Sequence, residues 1–177
     1  MTATAVLRKE FPAINIGGPG LGNHGDLKGE TFTPVPFLKA FLVRCKKDAA
    51  PLDFVSWHCY TADPSELVHR AKGVRAALDG AGYKAAESHL NEWNYLPDGS
   101  WTGIKVKDAA ARERWYARLA NEEGAAFTAA SLIALHDAPV NAANYFTAEA
   151  PGMGCSRSTA RLRGRSARSG RSRNWPG

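Results

Sequence analysis

Apolar positions recur along the chain at two spacings, one typical of a helix face and one typical of a short buried strand. Helical spacing is clearest in two segments, with apolar residues at 37, 38, 41 and 42 and again at 67, 68, 71, 74 and 78. Pro36 suits the first turn of one helix, Asp63 opens the other, and Gly80-Ala81-Gly82 ends it. The pattern therefore predicts helices over 36–47 and from Asp63 to Gly80.

Apolar runs that stop at turn residues predict four strands between the helices. The predicted strands are residues 13–16, which Gly17-Gly18-Pro19 stops, then 52–60, 83–91 and 144–147. The remaining segments are predicted as a helix end over 1–10, a loop over 19–34, a loop over 96–107 and a long helical region that Asp108 opens and Gly124 weakens.

Strands and helices thus alternate in the order β-α-β-α-β-α-β. This order favours parallel strands joined by right-handed helical crossovers. Four such units are half of an eight-stranded barrel, and a small open sheet is the alternative. Glu, His and Tyr at strand ends, without a phosphate-binding loop, favour the barrel. We therefore predict an α/β fold, a partial (β/α)8 TIM barrel of about four βα units.

Composition is that of a globular protein without a membrane span. The chain has 177 residues, 44% of them hydrophobic, which suffices for one core. No run of about 18 apolar residues occurs and no signal-peptide pattern opens the chain, so we expect no membrane partner and, by default, a cytoplasmic location. The three cysteines lack metal-ligand spacing, and Gly18–Gly22 lacks the following helix and the acidic partner that a dinucleotide site needs, so no metal or cofactor is expected.

The net charge of +6 comes from one end of the chain. Residues 155–177 hold seven arginines and no acid, which leaves −1 for residues 1–154. We therefore predict two parts, a folded domain over 1–154 and a disordered Arg/Ser/Gly tail over 155–177. The tail could bind nucleic acid, but no aromatic interleaving supports this. A shifted reading frame in GC-rich DNA also tends to encode such a tail, so a frameshift origin is a hypothesis.

The strongest candidate chemistry lies in Ser88–Tyr95, where an apolar run delivers Glu92 between Asn91 and Trp93. Barrels that cleave sugars present a catalytic carboxylate at a strand end in this way. His58 and Tyr60 alternate along the preceding strand, so their side chains point to the same side. Trp57 points to the other side, where it is predicted to pack in the core.

Three segments together resemble the second half of a clan A glycoside hydrolase, most closely family 39, the β-xylosidase and α-iduronidase group. They are Gly17-Gly18-Pro19, then Asp53 to Tyr60, then Leu90-Asn91-Glu92-Trp93-Asn94; the stretch 124–147 also resembles the family's last helix and strand. The resemblance implies strands five to eight of the barrel, with Glu92 at the nucleophile position. Asn-Glu also ends the acid/base strand of the clan, but that strand precedes Gly-Gly-Pro, so the order favours the nucleophile.

Several residues near these strand ends are candidates for binding a carbohydrate substrate. They are His58, Tyr60, Asn91, Trp93, Trp101 and Tyr145, with His24 and Asp26 as weaker candidates from the loop after the first strand. Trp101, in a polar loop, is the better candidate for stacking on a sugar ring. For His58 and Tyr60, and equally for Trp93, simple packing in the core is the alternative.

A retaining glycosidase also needs a protonated carboxyl group about 5–5.5 Å from the nucleophile. No candidate precedes Gly17 except Glu10, which lies in a predicted helix. The expectation is therefore a fragment of a retaining glycoside hydrolase acting on O-glycosidic bonds, inactive alone because a missing N-terminal half carries the acid/base. The alternatives are a non-catalytic carbohydrate-binding remnant and a nucleic-acid-binding protein that uses the tail.

Overall fold

The computed structural model describes residues 3–148 and Met153. Within them the elements are α1 (Ala3–Glu10), β1 (Gly17–Leu21), β2 (Gly25–Lys28), β3 (Thr31–Pro34), α2 (Pro36–Lys47), β4 (Phe54–Thr61), α3 (Pro64–Gly80), β5 (Glu87–Tyr95), α4 (Thr102–Lys105), α5 (Ala109–Leu119), α6 (Glu122–His136) and β6 (Ala142–Tyr145). The predicted basic tail over 155–177 lies outside the described residues. Among the helices described, none is long and apolar enough to cross a membrane.

Over this part of the chain, the main sheet has four strands in the order β1-β4-β5-β6, and each neighbouring pair is parallel. Helix α2 leads from β1 towards β4, α3 connects β4 with β5, and α4 to α6 connect β5 with β6. Each βα unit therefore adds one strand beside the last, as in a (β/α)8 barrel. The predicted α/β fold with about four βα units is confirmed.

The first strand lies later than predicted. We expected residues 13–16 to form it, whereas β1 begins at Gly17 and ends at Leu21. Close packing against β4 explains the glycine, because a Cβ on Gly17 would lie 2.3 Å from the Phe54 carbonyl oxygen. Pro19 is tolerated because β1 is an edge strand of the described sheet, where a missing N–H need not break a ladder.

The segment predicted as a loop over 19–34 contains a hairpin, in which β2 and β3 pair antiparallel. Gly29 has a φ of 58° and so supplies the positive φ that a two-residue hairpin turn of type II′ needs at its first position. The hairpin rests on α3, since a Cβ on Gly73 would lie 2.3 Å from the Phe32 ring. The strands have only four residues each, too few for a period to show in the sequence.

The helix boundaries follow the local sequence closely. Helix α2 has the predicted bounds, and Asp63 caps α3 by accepting the Ser65 N–H at 2.8 Å. The long helical region predicted from Asp108 is instead two helices, α5 and α6. The break falls at Asn121, whose side chain accepts the N–H groups of Glu123 and Gly124 and so starts a new helix.

The core lies between the sheet and the helices. Its fully buried side chains include Val55, Trp57 and Leu90 on the strands and Leu67, Ala71, Leu78 and Leu38 on α3 and α2; Phe127 and Leu135 of α6 join the same cluster. Trp57 is completely buried, as its position in the strand predicts. The opposite face of the sheet carries the half-buried side chains of His58, Tyr60 and Glu92, which are described next.

Candidate active site

Strand β5 extends to Tyr95, beyond the predicted end at residue 91, so Glu92 lies inside the strand. Its pairing with β4 is irregular at this point. Trp57 is opposite Leu90, but His58, the next residue, is opposite Glu92. Asn91 is therefore an extra residue without a counterpart in β4, which makes it a β-bulge.

The bulge determines which way Glu92 points. In a regular strand Glu92 would share the face of Ser88 and Leu90, both of which are completely buried beneath the helices. The extra residue shifts the alternation by one, so Glu92 faces the same side as His58 while Trp93 turns into the core. A carboxylate that would otherwise be buried among apolar side chains is thereby presented on the open face of the sheet.

Two side chains of β4 hold the Glu92 carboxylate. The Tyr60 hydroxyl donates a hydrogen bond to Oε1, and Nδ1 of His58 lies 3.4 Å from Oε2. Burial, together with this hydrogen bond, raises the pKa of Tyr60 well above its usual range, so the phenol stays a proton donor at neutral pH. The Glu92 side chain is 27% exposed, so a ligand can still reach it.

Beside Tyr60 the strand ends form one side of an open cleft of about 340 Å³. Its lining includes His58, Tyr60 and Trp101, and from the other side His24, Asp26 and Arg70. The Trp101 ring contacts the Tyr60 ring edge to face at 5.0 Å between centroids and remains 40% exposed. The structure thus brings Trp101 next to Glu92's hydrogen-bonding partner, although 41 positions separate the two aromatic residues in sequence.

The loop that carries Trp101 is braced by an ion-pair network. Nη1 of Arg118 lies 2.7 Å from Oδ2 of Asp98, and Nε of the same guanidinium donates to Oε2 of Glu123 at 2.8 Å. The Tyr95 hydroxyl also donates to Glu123. Hydrogen bonds from Arg118 and Tyr95 lower the pKa of Glu123 to about 2. The network joins the end of β5, the start of the loop and helices α5 and α6.

Asn94, which the sequence motif contains but to which we assigned no role, is a structural centre of this region. It is completely buried, its Oδ1 accepts the Tyr145 hydroxyl at 2.8 Å, and its Nδ2 donates to the carbonyls of Phe146 and Met153. An amide can do this because it donates and accepts at once.

The remaining candidates do not line the cleft. Asn91 is exposed at the bulge, while Trp93 is 1% exposed and packs edge-on against Tyr145 in the core, with 5.0 Å between ring centroids. The Trp93 indole N–H has no partner among the described residues. Sugar contacts by Asn91, Trp93 and Tyr145 stay predictions. The places of these residues in the structure do not add support for such contacts.

The arrangement can supply a positioned carboxylate, with a phenol that donates a hydrogen bond to it and an imidazole ring beside it. Asp26 is the one carboxylate among the described residues that line the cleft. In the part of the chain that the structure describes, no group of three or more His, Cys, Asp or Glu side chains could hold a metal ion.

No protein-family model and no curated protein matches this chain, but solved structures do. It is similar to a glucosidase from Croceicoccus marinus, with 27% identity and a TM-score of 0.58, over 81% of this chain and 26% of that one. It is also similar to a GH39 beta-xylosidase from Caulobacter crescentus, with 21% identity and a TM-score of 0.53, again over 81% of this chain and 26% of the other.

A third solved structure is a GH128 endo-beta-1,3-glucanase from Amycolatopsis mediterranei in complex with laminaripentaose. Its identity is 18% and its TM-score 0.51, over 88% of this chain and 58% of that chain. The chain thus spans about a quarter of the length of the first two proteins. These likenesses show that the chain shares part of the fold of these glycosidases.

Proposed function

We propose that this chain carries the nucleophile part of a retaining glycoside-hydrolase site that acts on O-glycosidic bonds, with Glu92 as the nucleophile. One observation carries the proposal. A β-bulge turns Glu92 onto the open face of the sheet, where Tyr60 and His58 both contact its carboxylate. The glycosidase-like fold and the resemblance of Leu90–Asn94 to the family 39 nucleophile strand support the same assignment.

In this mechanism an oxygen of Glu92 attacks the anomeric carbon of the substrate. The bond to the leaving oxygen breaks as the new ester bond forms, and water later releases the sugar. The Tyr60 hydroxyl and the His58 ring fix the carboxylate in one orientation, so that little motion is needed before attack. Neither group has to transfer a proton during this step.

The leaving oxygen of an ordinary sugar must be protonated as it departs, by an acid about 5–5.5 Å from the nucleophile. We assign this acid to none of the described residues, and we propose that it comes from a partner N-terminal half. The chain alone then forms the ester only with leaving groups that need no proton. As part of this proposal, the substrates are xylosides or iduronides, as the sequence resemblance to family 39 implies.

An activated fluorosugar tests the assignment of Glu92 without the acid. We would incubate the chain with dinitrophenyl glycosides of xylose and glucose that carry fluorine beside the anomeric carbon, which slows release of the sugar from the enzyme. Mass spectrometry of the digested protein should place the added sugar on Glu92. Glu92→Gln should abolish labelling, whereas Glu87→Gln, a change to another carboxylate of the same strand, should not. Labelling elsewhere, or none, contradicts the proposal.

A second candidate function is carbohydrate binding without catalysis. The observation that favours it is Trp101, 40% exposed at the edge of a cleft in which the described residues place only one carboxylate. Sugar binding to a chain whose Glu92 is never labelled would support this alternative. Nucleic-acid binding depends on the tail over 155–177, which lies outside the described residues.

A further inference from the structure

The outer face of helix α6 is apolar although it is exposed. The side of the helix that packs on the rest of the protein carries four buried residues, Gly124, Phe127, Ser131 and Leu135. The opposite side, which we call the outer face, carries exposed apolar residues, namely Ala125, Ala126, Ala129, Leu132 and Ile133. Leu132 is 58% exposed and Ile133 is 76% exposed. The outward side of a surface helix is normally polar or charged, so this face is unusual.

The whole middle of α6 lacks charge, since no Asp, Glu, Lys or Arg occurs between Gly124 and Leu135. A helix that is apolar on all sides is normally covered on all sides. One exposed leucine would need no explanation, but a continuous stripe with two large branched side chains is typical of an interface. The outer face lies opposite the side that packs on α3 and β5. A partner that extended the sheet at its edges would therefore not by itself cover this face.

The order of small and large residues along the outer face is complementary to itself. Ala129 lies midway between Ala125 and Ile133, and also midway between Ala126 and Leu132. If a second α6 crosses the first at Ala129 in the opposite direction, the alanines of one helix meet the large side chains of the other. Alanine leaves room for such a side chain, and packed helices fill the space between them by interdigitating residues in this way.

The charges at the ends of α6 fit the same arrangement. Glu122 and His136 are exposed, and each lies seven residues from Ala129, so both share its stripe. In an antiparallel pair Glu122 lies beside the partner's His136, whose ring can donate a hydrogen bond to the carboxylate. Asp137, the next residue, is then opposite the uncharged Asn121. A parallel pair would instead place two Glu122 carboxylates side by side, which is unfavourable.

We propose that the outer face of α6 is a dimer interface, on which a second copy of this chain packs its own α6 antiparallel around a two-fold axis at Ala129. Such an interface is isologous, so every contact occurs twice. One pair of helices buries little surface, and we therefore expect a weak dimer with a dissociation constant in the micromolar range. The proposal does not rest on the proposed function, because Glu92 lies on the other side of the sheet from α6 and stays accessible.

Sedimentation velocity of the full chain tests the dimer. The weight-average mass should rise from that of a monomer to that of a dimer as the concentration passes through the micromolar range. Ile133→Glu should weaken association by more than about 100-fold, because the interface would bury two unpaired carboxylates. Val43→Glu is the matched control, since Val43 is an apolar residue of α2 that is 66% exposed, and this variant should associate as the wild type does.

A pair of opposite charges tests the orientation and the register. Ala125→Lys alone should be monomeric, as Ile133→Glu should be. A mixture of the two variants should form a one-to-one dimer, because the introduced lysine of one chain then faces the introduced glutamate of the other. The double variant should form dimers with itself for the same reason.

Three results would overturn the proposal. The wild type could stay monomeric at every concentration, or the mixture of Ala125→Lys and Ile133→Glu could stay monomeric. Val43→Glu could also disrupt the dimer as strongly as Ile133→Glu while circular dichroism shows that both variants are folded. A dimer that survives Ile133→Glu but is lost when residues 155–177 are deleted would assign the contact to that segment, and the role of α6 would then be wrong as well.

Discussion

At the scale of single residues, the chemistry depends on two contacts to one carboxylate. The residues involved could be predicted in part, because the alternation of His58 and Tyr60 placed them on one side of a strand and the motif supplied Glu92. The contacts between them could not be predicted, since these depend on the register between β4 and β5, and one extra residue changes that register. Nor does the sequence show that Trp93 is core and Trp101 is at the cleft.

Tyr60→Phe should slow fluorosugar labelling of Glu92 by about 10- to 100-fold, because a misplaced nucleophile costs about that much. The rate would be followed by intact-protein mass spectrometry. Tyr116→Phe, a change in the separate cluster around Trp115, is the matched control. An unchanged rate in Tyr60→Phe would show that His58 and the backbone position the carboxylate without the phenol.

His24 should make the protein less stable as the pH falls. Burial, with Arg70 and His58 nearby, lowers its pKa from 6.5 to about 3. Between these values the unfolded chain binds a proton that the folded chain does not, so stability is complete above about pH 6.5 and is lost as the pH falls towards 3. Urea unfolding at pH 7.5 and pH 5 should show about 2 kcal/mol of this loss.

His24→Phe should remove that part of the pH dependence, whereas His136→Phe, at an exposed helix end, should not. Equal losses of stability in the wild type and His24→Phe between the two pH values would mean that the folded protein protonates His24 without penalty.

At the scale of elements, a helix or strand could be predicted from the sequence only where its segment contains a regular apolar pattern. Helices α2 and α3 were predictable because their apolar stripes and their Pro36 and Asp63 starts agree. Strand β1 was misplaced because Gly and Pro usually end strands, and here close packing against β4 requires the glycine. The β2–β3 hairpin was missed because its strands are short and mixed in polarity.

Deleting Asn91 tests the bulge as an element of the site. A strand without the extra residue must either return Glu92 to the buried face or turn Trp93 out of the core. Either change should destabilise the protein by several kcal/mol, in the range of large core disruptions, as measured by urea unfolding. Asn91→Ala keeps the residue count and should cost less than about 1 kcal/mol. Near-equal stabilities of the two variants would show that the bulge can move along the strand.

At the scale of the whole molecule, the parallel strands place His58, Tyr60 and Glu92 towards the C-terminal ends of the two central strands of one sheet. The order of the units was predictable, because alternating periods leave few topologies. The proposal that the general acid comes from a partner N-terminal half gives a prediction about substrates. Aryl glycosides with good leaving groups should react with the chain. Alkyl glycosides should react more slowly by about 10²–10⁴-fold, the rate factor that a general acid typically provides, in addition to the difference in their intrinsic reactivity.

Release of nitrophenol would be compared with release of alkyl alcohols, in the wild type and in Glu92→Gln. Adding a separately expressed N-terminal half from a related hydrolase should raise only the alkyl rate. If the chain alone cleaves alkyl glycosides at rates that Glu92→Gln abolishes, the acid lies within this chain, and Asp26 becomes the first residue to test.

The Arg118 brace has a consequence for how such a protein could diversify. Asp98, beside the loop that seats Trp101, is held by a side chain of α5, and α5 is tied through Glu123 to α6 on the far side of the sheet. The position of the Trp101 ring therefore depends on the outer layer of helices. Substitutions there, remote from any bound sugar, could shift ligand preference while Glu92, Tyr60 and His58 stay untouched.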